Sequence, residues 1–304
     1  MINLHGLRVF LEVARTRNFS RAAEELGVTQ PAVSAQVRRL EKDLGVRLFW
    51  QAGRSTYLTE AGEALKTYAE RLVALAAEAR ATVGEFADLK RGHLRLAATT
   101  TPGTYLLPQL LGEFRREWPQ LDISLTVGNH AFVVSQLEGF HADLALVAGA
   151  IRRHPSLTST RLMQDDLVLI AGAASELATR SDWLPAELRT ERFFLREQGS
   201  GTLDVVTAHL RPSKVRLDNV IELPSTEAIK QAVMAGLGYA IVSRLAVERE
   251  ARRGDLVILP APWLSLSREI YLVFHRSKFM SPMMLRFIQL IEGKLDERHD
   301  ASVT

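Results

Sequence analysis

The tightest constraint on this chain lies between residues 19 and 44. A short stretch carrying the small pair Ala22-Ala23 stops at Gly27, and a second amphipathic stretch opens at once with Thr29-Gln30-Pro31. Glycine tolerates the left-handed conformation that ends a helix. Proline is harmless in a first helical turn, where its missing N–H has no partner to lose. Small alanines before the turn let two helices cross closely. Leu4, Leu7, Phe10, Leu11 and Ala14 recur at helical spacing ahead of this pair. The pattern predicts three helices, the second over Arg21–Leu26 capped by Ser20 and the third capped by Thr29. Helix, glycine turn, helix is the helix-turn-helix arrangement.

On the third helix Val33, Val37, Leu40 and Leu44 form one apolar stripe. The opposite face carries Pro31, Ser34, Ala35, Arg38, Arg39 and Lys42. Such a helix suits a major groove, with an anchored back and donors facing outward. The same pattern also describes an ordinary solvated surface helix. Charge separates the readings. Residues 1–58 hold nine Lys/Arg against five Asp/Glu, whereas residues 93–304 hold 24 of each. The basicity of the chain, +3 overall, therefore resides in its head, as expected of a nucleic-acid-binding module on a neutral body. Val46–Phe49, the turn Ala52–Ser55 and Thr56–Leu58 read as strand, turn, strand, a small wing beside the helices.

Phe19-Ser20-Arg21-Ala22-Ala23, Leu26-Gly27-Val28-Thr29-Gln30-Pro31-Ala32-Val33-Ser34, Leu40-Glu41, Leu44-Gly45, Leu48-Phe49 and Leu58-Thr59-Glu60-Ala61-Gly62 follow in one block. This block resembles the N-terminal domain of the LysR-type transcriptional regulators. The resemblance implies that Thr29, Gln30, Pro31 and Ser34 approach base edges of double-stranded DNA. It implies that Asn18, Ser20, Arg38 and Arg54 meet phosphates. Ala35 and Gln51 stand where many members have arginine, so the operator sequence is not transferable from relatives.

Residues 59–90 form a linker. Thr59 precedes Glu60 and Glu63, a capped start with acids that the helix dipole favours. Leu65, Tyr68, Leu72, Leu75, Ala79, Thr82 and Phe86 then make a seam at coiled-coil spacing. The seam fits either one helix packed on its own domain or a dimerising coiled coil. Reading a dyad operator needs two heads at fixed spacing, and the family resemblance also implies a homodimer or homotetramer. Asp88–Gly92 ends the helix as a hinge.

From His93 strands alternate with helices: strands near 93–98, 122–127, 143–147, 167–171, 192–195, 239–242 and 270–274. This is an α/β pattern long enough for two sheets, with Asp143–Val147 apolar throughout, as in a parallel strand buried on both faces. Leu285, Ile288 and Ile291 mark a closing helix. The order resembles the family's effector-binding domain, two lobes similar to periplasmic solute-binding proteins. Lobe I takes 93–162 and 267–296, and lobe II takes 163–266. The expected architecture is α plus α/β: a winged head over 1–58, the linker helix, and a two-lobed body over 91–304.

Ligands of such folds bind beyond the carboxyl ends of strands, between lobes. Three segments fall there: the polar turn containing Thr99, Thr100 and Thr101; Gly128-Asn129; and Gln198–Thr202, which offers Ser200, Gly201 and Thr202. The last is either an anion cradle of backbone donors or a plain strand–helix turn capped by Thr202. Phe193–Thr202, with Tyr105-Leu106-Leu107-Pro108, looks like the subgroup of carbon-fixation and sulfur-assimilation regulators, which implies a small anionic metabolite as effector. Leu203 replaces an arginine common there and Ala148 an acid, which takes a cation away from the loop and counts against a phosphorylated effector.

Other chemistry finds little support. Cysteine is absent, which excludes disulfides, thiolate metal sites and thiol redox sensing. The histidines show no metal-ligand spacing, so no metal or cofactor is expected. No G-x-S-x-G elbow is present. Asp165-Asp166 could mimic an acid pair, but adjacent strand residues face opposite ways, and solvated lobe-edge charges are the expectation. A phosphate-loop enzyme with an accessory DNA-binding head stays open as the alternative to a regulator that contacts DNA, effector and RNA polymerase. No apolar run reaches the length of a membrane span, and the N-terminus enters a helical pattern directly, so the expected location is the cytoplasm.

Overall fold

The structure is a computed structural model describing residues 3–52, 55–87, 92–149, 154–179, 189, 191–210, 217–261 and 264–303. It divides into two compact units, Met1–Leu89 with Glu138–His141, and Lys90–Leu137 with Ala142–Thr304. The helix read as a linker groups with the head. Residues 88–91 of the expected hinge lie outside the described residues.

In the head, α1 (Leu4–Thr16), α2 (Phe19–Leu26) and α3 (Gln30–Leu44) bury Val9, Val13, Ala22, Ala23, Val33 and Val37 against one another. Gly27 ends α2 at φ 66°, as its position in the turn requires. The cap of α2 is Asn18 rather than Ser20. Its Oδ1 accepts the N–H groups of Ser20 and Arg21 at 2.8 and 3.0 Å, which puts Ser20 inside the first turn. Thr29 precedes α3 but makes no side-chain capping bond.

The wing is β1 (Phe49–Ala52) antiparallel to β2 (Ser55–Leu58), with Phe49 opposite Leu58. Val46–Leu48, expected as strand, is not part of it. The Leu48 N–H is taken by the buried Glu41 carboxylate at 2.8 Å, and its carbonyl accepts the Thr59 N–H at 2.9 Å. The 28-residue α4 (Glu60–Ala87) then starts at Thr59, whose Oγ1 accepts the Gly62 N–H. Leu7, Phe10, Leu40, Leu48 and Ala69 close a second cluster between α1, α3 and α4.

Among the described residues, the second unit holds one nine-stranded sheet rather than the two expected. Parallel β3 (His93–Thr99), β4 (Asp122–Gly128) and β5 (Leu144–Ala148) form one end, and parallel β7 (Arg192–Arg196), β8 (Asn219–Leu223) and β9 (Tyr239–Ser243) the other. They are joined by β6 (Leu157–Gly172) and β11 (Leu266–His275), antiparallel partners from Leu157↔His275 to Leu167↔Leu266. Short β10 (Leu256–Ile258) pairs with β6. The order is β4-β3-β5-β11-β6-β9-β7-β8. Two strands long enough to serve both lobes make the hydrogen-bonding continuous. Consequently β5 is buried throughout but mixed, parallel to β3 and antiparallel to β11.

Helices cover both ends. A helical run from Thr100 contains a wide π turn over Pro102–Leu106 and continues as α5 (Leu107–Glu117). It packs with α10 (Pro282–Val303) in a core that includes Phe114, Phe287 and Ile291. The face of α10 buried there also includes Met283 and Met284, while Leu285 is exposed. On the other face of this lobe lies α6 (His130–Glu138). The second lobe carries α7 (Gly201–Leu210), α8 (Thr226–Met234) and α9 (Glu248–Arg253). Asp143, before β5, is buried and held by Arg95 at 2.6 Å and by the Lys278 Nζ at 2.6 Å.

Candidate nucleic-acid interface and ligand cleft

In the head, one groove is lined by Asn18, Ser20, Gln30, Ser34 and Arg38 together with Arg47, Trp50, Gln51 and Thr56. Five of the eight residues singled out from sequence thus share a surface. Thr29 and Pro31 are exposed at the start of α3 beside it, and Arg54 lies outside the described residues. The Gln30 Nε2 donates to the Ser34 Oγ at 2.8 Å, which orders both amide and hydroxyl on the exposed first turns of α3. Arg38, Arg39 and Lys42 are exposed on the same helix, while Val33, Val37 and Leu40 are buried. Ala35 and Gln51 are exposed, so neither replaces a buried contact.

In the second unit, Thr99, Thr100, Thr101, Gly128, Asn129, Ser200, Gly201 and Thr202 all line one narrow cleft. The fold brings them together because β3 and β4 in one lobe and β7 in the other run in opposite directions along the shared β6 and β11, so that their carboxyl ends meet at the cleft. Thr99–Thr101 is no turn: Thr99 ends β3 and Thr100 begins the helix, so the free N–H groups of that helix open on the cleft. Thr202 is no cap, being the second residue of α7, and Ser200 stands ahead of the helix. Gly201 is required by proximity, since a Cβ there would lie 2.7 Å from both the Ala148 carbonyl oxygen and the His130 ring.

Sequence reasoning missed the cations. Arg268, buried in β11, donates Nε–H to Asp165 at 2.9 Å, Nη1–H to Thr202 at 3.0 Å and Nη2–H to Thr101 at 2.9 Å. Thr101 belongs to one lobe and Thr202 to the other, so a single guanidinium ties both to the shared strands. Asp165 also accepts the Ser243 hydroxyl. Burial pushes its carboxyl above the usual range, against the opposing pull of Arg268 and Ser243. The expectation of solvated charges at Asp165-Asp166 therefore fails for one of the two. They do face opposite ways, but Asp165 is buried and Asp166 exposed.

Arg196, buried at the end of β7, donates Nε–H and Nη2–H to both oxygens of Glu197 at 2.7 and 2.9 Å, and Nη1–H to Thr226 at 2.8 Å. A weaker Nη2 bond at 3.4 Å reaches Thr100 across the cleft. Leu203 does not line this cleft, so its departure from the subgroup removes no cation there. Arg196 and Arg268 are the guanidiniums that line it, each paired with a carboxylate, Glu197 and Asp165. A lone arginine ahead of the apolar run Ile270–Phe274 was the one sequence clue to Arg268.

The remaining lining is donor-rich. Ser200 is buried in the lining of the cleft. The Asn129 Oδ1 accepts the Phe132 N–H at 2.9 Å, leaving its amide hydrogens for the cleft. Burial holds the His130 imidazole below its ordinary value, with the Asp204 charge opposing and that of Arg268 reinforcing it. Two guanidiniums, two helix N-termini and hydroxyl and amide donors converging in a narrow space suit a small anion.

Comparison with known proteins matches each part. The family model "Bacterial regulatory helix-turn-helix protein, lysR family" covers residues 4–63, and "LysR substrate binding domain" covers residues 87–296. The HTH-type transcriptional activator CmpR of Synechocystis sp. is 35% identical over 99% of this chain and 97% of its own length. A RuBisCO operon transcriptional regulator of Acidithiobacillus ferrooxidans is 34% identical over 95% of this chain and 93% of its own. Among solved structures, the regulatory domain of Synechocystis CcmR in complex with 2-PG superposes with a TM-score of 0.61 at 31% identity, covering 67% of this chain and 97% of that one. Full-length CbnR complexed with its target DNA gives a TM-score of 0.72 at 24% identity over 96% of this chain and 99% of that one, a likeness of fold.

Proposed function

This chain belongs to the LysR family of DNA-binding transcriptional regulators, and from that premise we propose that it reads a dyad-symmetric operator with paired heads whose spacing is set by a small anion held between the lobes of its body. Its relatives are regulators rather than enzymes, and it is not an enzyme. In the proposed complex α3 lies in the major groove with Thr29, Gln30, Pro31 and Ser34 toward base edges. Asn18, Ser20, Arg38 and Arg54 meet the phosphates on either side.

The pairing element is α4. Tyr68, Leu72 and Leu75 of its seam are exposed, with relative accessibilities of 64%, 45% and 46%, so the stripe is unused within its own unit. Thr82 and Phe86, which extend the seam, have side chains outside the described residues. A second copy covers this stripe, giving a homodimer or a homotetramer of dimers. The regulator works in the cytoplasm and acts on RNA polymerase through the DNA-bound assembly.

The observation that carries the effector reading is the convergence of Arg196, Arg268 and the eight predicted residues on one cleft. An incoming carboxylate or phosphate takes over the Arg196 fork from Glu197, whose side chain is 33% exposed and free to swing out. Because Arg268 bonds to Thr101 and Thr202 from opposite lobes, an anion that recruits those hydroxyls alters how the lobes are held. The ligand acts by binding one arrangement better than the other, since equal affinity for both would shift nothing. CcmR binding 2-PG makes 2-PG the first probe. Footprinting of the intergenic region upstream of its own gene, with and without 2-PG, phosphate and sulfate, tests the reading. A ligand-dependent change in the protected length is expected, and an identical footprint under every ligand refutes anion control.

A further inference from the structure

The corner between α1 and α2 carries an exposed arginine. Arg17 sits at φ 53°, and among the described residues only Phe140 shares a positive φ without being glycine. L side chains adopt this conformation rarely, and a strained residue at a functional surface is a reason to ask what it does. The helices α2 and α3 end in the same conformation with Gly27 and Gly45, whereas α1 ends with arginine.

The backbone there is pinned from both sides. The Arg17 N–H bonds to the Val13 carbonyl at 2.9 Å, and its own carbonyl accepts the Thr56 N–H of β2 at 3.0 Å. The side chain is exposed and lies over an aromatic ledge, with Cζ 5.9 Å from the centre of the Tyr57 ring. Tyr57 in turn stacks on Trp50, with centroids 5.0 Å apart and planes 25° from parallel. Trp50 is 51% exposed yet fixed, because its indole N–H donates to the Leu58 carbonyl at 3.0 Å. No carboxylate pairs with Arg17 among the described residues. Trp50 and Thr56 line the same groove as Asn18, Gln30, Ser34 and Arg38. The cation thus stands at the wing end of a surface whose other end is the reading face of α3.

We infer that Arg17, held on the Tyr57–Trp50 stack, is a further contact to the sugar–phosphate backbone of DNA, flanking the bases approached by α3. The guanidinium is exposed, pairs with no carboxylate among the described residues and is held at a fixed place by the Tyr57 ring, and the Trp50 and Tyr57 rings are themselves exposed. A phosphodiester satisfies the charge, and deoxyribose packs on the rings. The inference rests on the DNA-binding assignment of α3, for which Arg38→Ala serves as the control.

The test is fluorescence anisotropy of the full chain with a duplex of arbitrary sequence across a salt series. Arg17→Gly removes the charge at a position that glycine suits, so the head should melt no lower than wild type. Binding should weaken about fivefold, and the slope of log affinity on log salt should fall by about 0.9, the contribution of one neutralised phosphate. Arg17→Lys should restore the slope. Unchanged affinity and slope in Arg17→Gly overturn the inference, as does a loss of binding accompanied by a lower melting temperature. If Arg38→Ala flattens the slope and Arg17→Gly does not, only Arg17 is dismissed and the role of α3 stands.

Discussion

Arg268 and Asp165 stand directly opposite each other in the register of β11 and β6, and their side chains form an ion pair with accessibilities of only 4% and 0%. The pair lies on the two strands that belong to both lobes. Its remaining hydrogen bonds reach Ser243, Thr101 and Thr202, so the charges are compensated on every side. Removing one partner leaves the other buried and alone. We expect Asp165→Ala to cost about 3–5 kcal/mol in urea unfolding followed by circular dichroism. A cost below about 1 kcal/mol would mean that water or a neighbour replaces the carboxylate.

Asp143 should make the second unit acid-labile, and Asp165 should not. Burial alone would push the Asp143 carboxyl up, but Arg95 and Lys278 outweigh it and hold it below its ordinary value. The unfolded state therefore takes up the proton first, and stability falls as pH drops below about 4 toward the folded pKa. For Asp165 the folded value is raised, so its protonation at low pH favours the folded state. Thermal melts from pH 5 to pH 2.5 should flatten in Asp143→Asn. A steep acid profile surviving that substitution would assign the lability elsewhere.

The cleft is testable by calorimetry with 2-PG, phosphate and sulfate. Ser200→Ala and Thr100→Ala should each weaken the best-binding anion by about 1 kcal/mol, the net worth of one hydrogen bond. Glu197→Gln should tighten it, because the amide competes less well for Arg196 than the carboxylate it replaces. Undiminished binding in both hydroxyl variants would remove the anion from this cleft.

Arg38 is exposed on α3 and lines the groove shared with Gln30 and Ser34. Arg38→Ala should lower affinity alike for operator and unrelated duplexes, and reduce the salt slope by about one. A slope equal to wild type would move Arg38 off the phosphate path.

The exposed stripe on α4 predicts the oligomer. Leu72→Glu combined with Leu75→Glu places charges on that seam and should release smaller species in sedimentation velocity, with loss of binding to the dyad. Retention of the wild-type assembly would show that pairing uses another surface.

The head was legible because its rules are local. A capping residue acts within three positions, glycine stops a helix where it stands, and a stripe at helical spacing names the buried face of α3 before any partner is known. Even there the cap moved from Ser20 to Asn18, since either short polar side chain meets the local requirement. The loop residues of the cleft were legible for a similar reason: within each lobe the parallel strands deliver their loops beyond their carboxyl ends. The charges were not. Alternation along β6 told that Asp165 and Asp166 face opposite ways, but not which way was inward. That depends on β11 lying alongside, about a hundred residues later in the chain, with Arg268 at the matching position. A buried charge is affordable only with a partner, and the partner is supplied by strand order rather than by neighbours in sequence. By itself, then, the sequence determined the helix-turn-helix, the apolar stripe along α4 and the loops that meet between the lobes. Only the tertiary structure decided where the cleft gets its cations and that one sheet runs through both lobes, because both follow from long-range pairing that no local pattern encodes.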